Sequence, residues 1–270
     1  MKYEITVTVG GWLLVGTLLS TVPVTAQRGG NRCEFGTELS AELSASESER
    51  LRVSAGSGSL VVEGRAGTSA VTVTATVCAS EEWMLEEMDV VLERRGSTLD
   101  LETFYPDDLW RDGGYARIDL RVEVPLGMDA DIDDGSGPTT LSGLGDLTVD
   151  DGSGELYVED IRGSVDIDDG SGGLEIRDVR GDVFVKDGSG SMDIAGVTGS
   201  VTVEDGSGSI DIRDVGQDVI AYEIGSGTIR VSDVEGNFTV RDGRQERIRY
   251  SGVRGVVDIP APRRRRGGRR

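Results

Sequence analysis

The sequence predicts an all-β chain wound as a right-handed parallel β-solenoid, with about 18 residues per coil. Three observations predict it: a tetrad recurring at one period, alternating aliphatic residues between the tetrads, and abundant glycine with little proline. Asp-Gly-Ser-Gly stands at 134–137, 151–154, 169–172, 187–190 and 205–208. A variant, Ile-Gly-Ser-Gly, follows at 224–227, and a worn copy, Asp-Gly-Arg, at 242–244. The first glycines of these copies are spaced by 17, 18, 18, 18, 19 and 18 residues.

Between tetrads, Val165 and Ile167 alternate with polar residues, and so do Leu174 and Ile176. Period two marks half-buried strands. The pattern returns with Val183/Val185 and Met192/Ile194, then with Val201/Val203 and Ile210/Ile212. Two strands and two turns in 18 residues leave no room for a helix. The same facing recurs one period later, so each strand is expected to stack on its own copy in a parallel ladder. The crossover rule makes the winding right-handed. About six aliphatic side chains per coil cannot hold a lone coil against its chain entropy, so stacking is obligatory. The 40 glycines, against 6 prolines, suit corners that need positive φ. The tetrad's aspartate and serine are suited to accepting turn amides.

Residues 27–130 read as longer, less regular strands that cap the first edge of the solenoid. Leu51–Val62 resembles an early coil, with Gly56 and Gly58 in the tetrad's place. Residues 71–77, 98–101 and 118–124 alternate cleanly. A short helix is expected over Glu81–Met88, capped by Ser80, with Trp83 and Met88 tucked inward. A loop is expected from Pro106 to Tyr115. The regular repeats occupy 131–260, and Pro260 and Pro262 close the far edge, where a missing N–H stops further pairing.

The first 26 residues read as a secretory signal: Lys2, an apolar stretch from Ile5 to Leu19, then Val24 and Ala26 before a cleavage point at Gln27. The alternative is an uncleaved anchor, for which the stretch is short and interrupted by polar residues. Export places the chain in the periplasm or at a bacterial cell surface. In that setting Cys33 and Cys78 are expected to form a structural disulfide rather than two buried thiols.

The formal charge is −21, and the six arginines of the tail leave a still more acidic body. So acidic a folded body excludes nucleic-acid binding through it. The tail at 261–270 has no large apolar residue to bury and reads as disordered. Its arginines, Arg263–Arg266, Arg269 and Arg270, suit contact with an anionic surface or with the acidic face of another copy. The alternative is a solvated tail that softens self-repulsion.

Val124-Pro125-Leu-Gly-Met-Asp-Ala-Asp-Ile132, followed by the recurrent Ser-Gly and alternating aliphatics of Ser207-Gly208-Ser-Ile-Asp-Ile212, resembles the bacterial putative-adhesin family. That family consists of exported domains of unknown function with a right-handed β-solenoid fold. The resemblance covers roughly residues 50–260. It implies the fold and an envelope location, and it brings no catalytic residues. The uniform tetrad aspartate and the arginine tail depart from the family's pattern.

The candidate chemistry lies in the aspartate ladder, Asp134, Asp151, Asp169, Asp187 and Asp205, with Asp242 in the worn copy. Copies stacked about 4.8 Å apart repel by about 0.9 kcal/mol in water, but by about 3.5 kcal/mol at an effective dielectric of 20. An exposed ladder tolerates this; a half-buried one needs neutralising. Calcium would suit hard carboxylate ligands, but the aspartate precedes Gly-Ser-Gly, unlike the calcium-binding nonapeptide of repeat-in-toxin coils. No cofactor is otherwise expected. Tyr157, Phe184, Ile220 and Tyr222 fall on outward positions and form a possible contact surface for an unidentified envelope or surface partner.

Histidine is absent, which removes Ser-His-Asp and Cys-His catalysis. The turn acids are repeated copies, so no unique carboxylate pair stands out for glycoside cleavage. The expectation is a non-catalytic exported scaffold or adhesin-like binding domain. The alternatives are a calcium-responsive solenoid and a self-assembling envelope element.

Overall fold

The computed structural model describes residues 6–9, 12–13, 33–106 and 114–261. Among the described residues the chain is an all-β solenoid with one short α-helix, and it divides into two compact units, Met1–Glu155 and Leu156–Arg270. Most of the expected signal segment and all of the arginines of the tail lie outside the described residues, as does 107–113 of the expected loop.

In the C-terminal unit every described strand pairing is parallel. One sheet stacks Val165–Asp169, Val183–Asp187, Val201–Asp205, Val219–Glu223, Phe238–Asp242 and Val257–Asp258. The other stacks Gly172–Val179, Gly190–Val197, Gly208–Val215, Thr228–Val234 and Ile248–Val253. Register is set by the period: Val183 faces Val201, which faces Val219, which faces Phe238. A one-residue slip would turn each valine to water, so burial of one face fixes the pairing.

The interior is built from columns. Leu174, Met192, Ile210 and Ile229 form one, and Ile176, Ile194, Ile212 and Val231 a second. Val179, Val197, Val215 and Val234 form a third. The first sheet supplies Val183, Val201 and Val219, then Val185, Val203 and Ala221. Each coil therefore buries five aliphatic residues on these columns rather than the expected six. The sixth inward position is the tetrad aspartate.

Corner geometry explains the glycines. Several in the tetrads take the expected positive φ, among them Gly137 at 132° and Gly225 at 37°. Space is a second need at the end of the tetrad: a Cβ on Gly190 would lie 1.8 Å from the Gly172 carbonyl oxygen, and one on Gly208 would lie 1.7 Å from that of Gly190. Positive φ also occurs at the opposite corner, largely on aspartate: Asp160, Asp178, Asp214 and Asp233 have φ of 52–58°. Aspartate tolerates this region because its short carboxylate bonds locally.

A further inter-coil ladder lies beside that corner. Asp182 Oδ1 accepts the Ser200 amide at 2.7 Å, and Asp218 Oδ1 accepts the Asn237 amide at 2.7 Å. Asn237 Oδ1 in turn accepts the Val256 amide at 2.8 Å. These contacts pair backbone donors that the strands leave unpaired between coils.

The N-terminal unit mixes pairings. Arg50–Ser57, Asp129–Ser136 and Leu147–Asp151 stack in parallel, continued by Thr98–Phe104 against Arg50–Ser57. Leu60–Arg65 is parallel to both Thr139–Ser142 and Ala116–Pro125. Antiparallel strands are added here: Phe35–Ser44 on Ala70–Ala79, Ala70–Ala79 on Ala116–Pro125, and Asp89–Arg95 on Thr98–Phe104. Cys33 and Cys78 are joined by a disulfide, which ties the start of Phe35–Ser44 to its neighbour.

The helix spans Glu82–Glu87 and has no side-chain cap. Ser80 instead accepts the Tyr115 amide at 3.0 Å. Met84, Leu85 and Met88 face inward, whereas Trp83 is 42% exposed, contrary to expectation. On so short a helix the inward stripe runs through positions 84, 85 and 88, which leaves 83 on the solvent side.

Candidate functional site

Two features stand out: the aspartate corner and the outer face of the second sheet of the C-terminal unit.

The tetrad aspartates point into the protein. Asp134, Asp151, Asp169, Asp187 and Asp205 are 1–4% exposed. They keep the inward phase of the strand before them, as in Val183, Val185, Asp187. Asp187 pairs in register with both Asp169 and Asp205, and Asp134 with Asp151. Asp169 Oδ1 accepts the Ser171 amide at 3.0 Å and Asp187 Oδ1 the Ser189 amide at 2.9 Å. These are the expected turn bonds. Asp134 accepts from the Thr139 hydroxyl at 2.9 Å.

Burial pushes the Asp134, Asp151 and Asp205 carboxyls up to about 6, and it raises Asp187. A neighbouring carboxylate adds to the rise: Asp134 acts on Asp151, and Asp187 on Asp205. Ile224, in the variant tetrad, is fully buried, whereas Asp242 in the worn copy is exposed. Among the described residues, no group of three or more acidic or thiol side chains converges as a metal shell requires.

The outer face of the second sheet carries a register column of Glu175, Asp193, Asp211, Arg230 and Arg249. Beside it runs Gly173, Ser191, Ser209 and Thr228. Asp193 is held by Arg213 at 2.9 Å and Asp211 by Arg230 at 3.0 Å. Acid gives way to base along the column. At its basic end lies a groove of about 450 Å³, lined by Asp193, Ser209, Asp211, Thr228, Arg230, Glu246, Arg247 and Arg249.

The groove's wall comes from the worn tetrad. Where earlier coils turn through Gly-Ser-Gly, the chain here makes one 3-10 turn at Gln245–Arg247. Arg247 donates to the Ser226 carbonyl and, at 3.4 Å, to that of Gly227. Arg249 donates to the carbonyls of Glu246 and Ile248 at 2.8 and 2.9 Å. Both guanidinium groups thus bond to main chain through one nitrogen and have further N–H donors beyond those bonds.

The four residues expected to form one contact surface do not come together. Phe184 and Ile220 share an outward column of the first sheet, with Thr202 between them. Tyr222 is exposed beside the register shift that follows Val203. Tyr157 lies on the other sheet and donates to Glu159 at 2.8 Å. Sequence reasoning also missed Arg247 and Arg249. The signal available was the loss of Gly-Ser-Gly at 243–245, which marks a corner with no copy to match.

No protein-family model matches the chain, and no curated protein matches it. Solved structures do. A putative cell adhesion protein from Clostridium sporogenes is 14% identical with a TM-score of 0.35, over 83% of this chain and 98% of that one. A putative adhesin from Bacteroides fragilis is 12% identical with a TM-score of 0.42, over 83% and 97%. A putative lipid binding protein from Parabacteroides distasonis is 12% identical with a TM-score of 0.31, over 83% and 97%.

Proposed function

We propose that the protein is an exported, non-catalytic binding scaffold, and that it holds an anionic surface polysaccharide in the groove at Arg230, Arg247 and Arg249. The observation that carries this reading is the pair Arg247 and Arg249. Both line the groove, and the bonds they make are to carbonyls, so their charge is available to a ligand's carboxylate or sulfate. Asp193, Asp211, Ser209 and Thr228 supply acceptors and hydroxyls at the spacing of the ladder, suited to sugar hydroxyls. The absence of histidine and the repetition of the turn acids support a role without catalysis.

The test is retention of the full chain on immobilised polygalacturonate and on neutral dextran at physiological salt. Retention on the acidic polymer alone is expected, with loss in the Arg247→Glu/Arg249→Glu variant. Changing Arg263–Arg266 to serine should leave retention largely intact. If the groove variant binds as well as the parent, or if the tail variant abolishes binding, the groove is not the site.

A further inference from the structure

We propose that the inward tetrad aspartates form a proton-binding column, in which stacked carboxyl groups share protons between coils, so that the solenoid is held more firmly at mildly acidic pH than at neutral pH.

Three geometric facts carry this. The column is interior: five carboxylates are nearly inaccessible, and the equivalent position in the variant coil is occupied by a fully buried isoleucine. The members are stacked in register on adjacent strands, Asp134 with Asp151 in one unit, and Asp169, Asp187 and Asp205 in the other. Finally, both carboxylate oxygens of Asp151 and of Asp205 are buried without a hydrogen bond. The Ser153 and Ser207 amides lie toward them and oppose the upward shift in part, but outside good hydrogen-bond geometry.

The charged groups that act on Asp134, Asp151 and Asp205 have the wrong sign to neutralise them. Asp133 acts on Asp134, and Asp134 and Asp150 on Asp151. Asp187 and Glu223 act on Asp205. Among the described residues no arginine or lysine acts on these three. Two facing buried carboxylates repel, whereas one carboxylic acid beside one carboxylate forms a charge-assisted O–H···O bond. The proton comes from solvent, and each one taken up replaces a repulsion by a bond. Burial, the first cause of the raised Asp134, Asp151 and Asp205 carboxyls, places the uptake near pH 6. The chain has no histidine, so no side chain with an ordinary titration there competes for the assignment.

The experiment is thermal melting of the full chain from pH 5 to pH 8 in chelator, repeated with calcium chloride. The expected result is a midpoint about 5 °C or more higher at pH 5 than at pH 8. Asp151→Asn/Asp205→Asn should flatten the slope. Asp178→Asn/Asp214→Asn removes the same charge from the exposed corner and should leave it unchanged. Infrared spectra of the parent should show a band of un-ionised carboxyl at pH 6 that is weaker in the buried-site variant. A flat profile, equal slopes in both variants, or the absence of that band overturns the proposal. So does calcium at pH 8 restoring the acid midpoint, which would make the column a metal site.

Discussion

Each coil of the C-terminal unit turns twice, and aspartate recurs at both turns under opposite conditions. At the Asp-Gly-Ser-Gly corner it is buried, extended and stacked on other buried carboxylates. At the Asp-Val-x-Gly corner it is exposed and left-handed, with φ near 55° at Asp178 and Asp233. One residue type solves two problems: a short acceptor for turn amides inside, and a tolerated positive φ outside. The inner solution introduces charge into an interior that accepts isoleucine at the equivalent site. The outer one costs little, because water screens it.

Five substitutions would break or sharpen this contrast. The largest effect is expected from Ile224→Asp, which adds a carboxylate to the buried corner and removes apolar contact. It should destabilise by about 3–5 kcal/mol at pH 8 in urea unfolding, and by less at pH 5. Next is Gly208→Ala, whose Cβ would meet a main-chain carbonyl. A loss of about 2–3 kcal/mol is expected. At the opposite corner Gly196, with φ of 72°, should accept aspartate at a cost of under about 1 kcal/mol, since its equivalents are aspartate.

Asp205→Asn should stabilise at pH 8 by about 1–3 kcal/mol, the upper end being a shift from 3.8 to about 6 at about 1.4 kcal/mol per pKa unit. The folded state holds its proton more tightly than the unfolded chain. Stability from this group is therefore full below pH 3.8 and is lost as pH rises through about 6, so the gain from asparagine fades in acid. A small effect is expected from Asp214→Ala, which removes the left-handed tolerance and should cost about 1 kcal/mol in urea unfolding.

The coil length, the parallel stacking and the alternation were legible in the sequence because every coil must repeat them to bury its neighbours. The inward turn of the aspartates was legible too. Val183, Val185 and Asp187 share one phase, but a turn residue with a charge reads as solvent-facing unless that phase is followed to its end. The place of Tyr157 apart from Phe184 was legible as well, since Tyr157 follows a tetrad and Phe184 precedes one, which puts them on different strands of the coil. The arginine groove was not legible, because it depends on a corner that departs from the repeat. The outward Trp83 depends on which side of a six-residue helix the core lies, and six residues carry too little periodicity to tell.

The whole account rests on like positions standing above one another. Spin labels on paired cysteines measure this directly in the C-terminal unit, at Asp166 with Thr202, Ile220 or Thr239, which are members of one outward column. The Cα separations should grow by about 4.8 Å per coil, reaching about 19 Å for Asp166 and Thr239. Separations that fail to rise in equal steps, or a Thr239 label no farther from Asp166 than the Thr202 label, would contradict it.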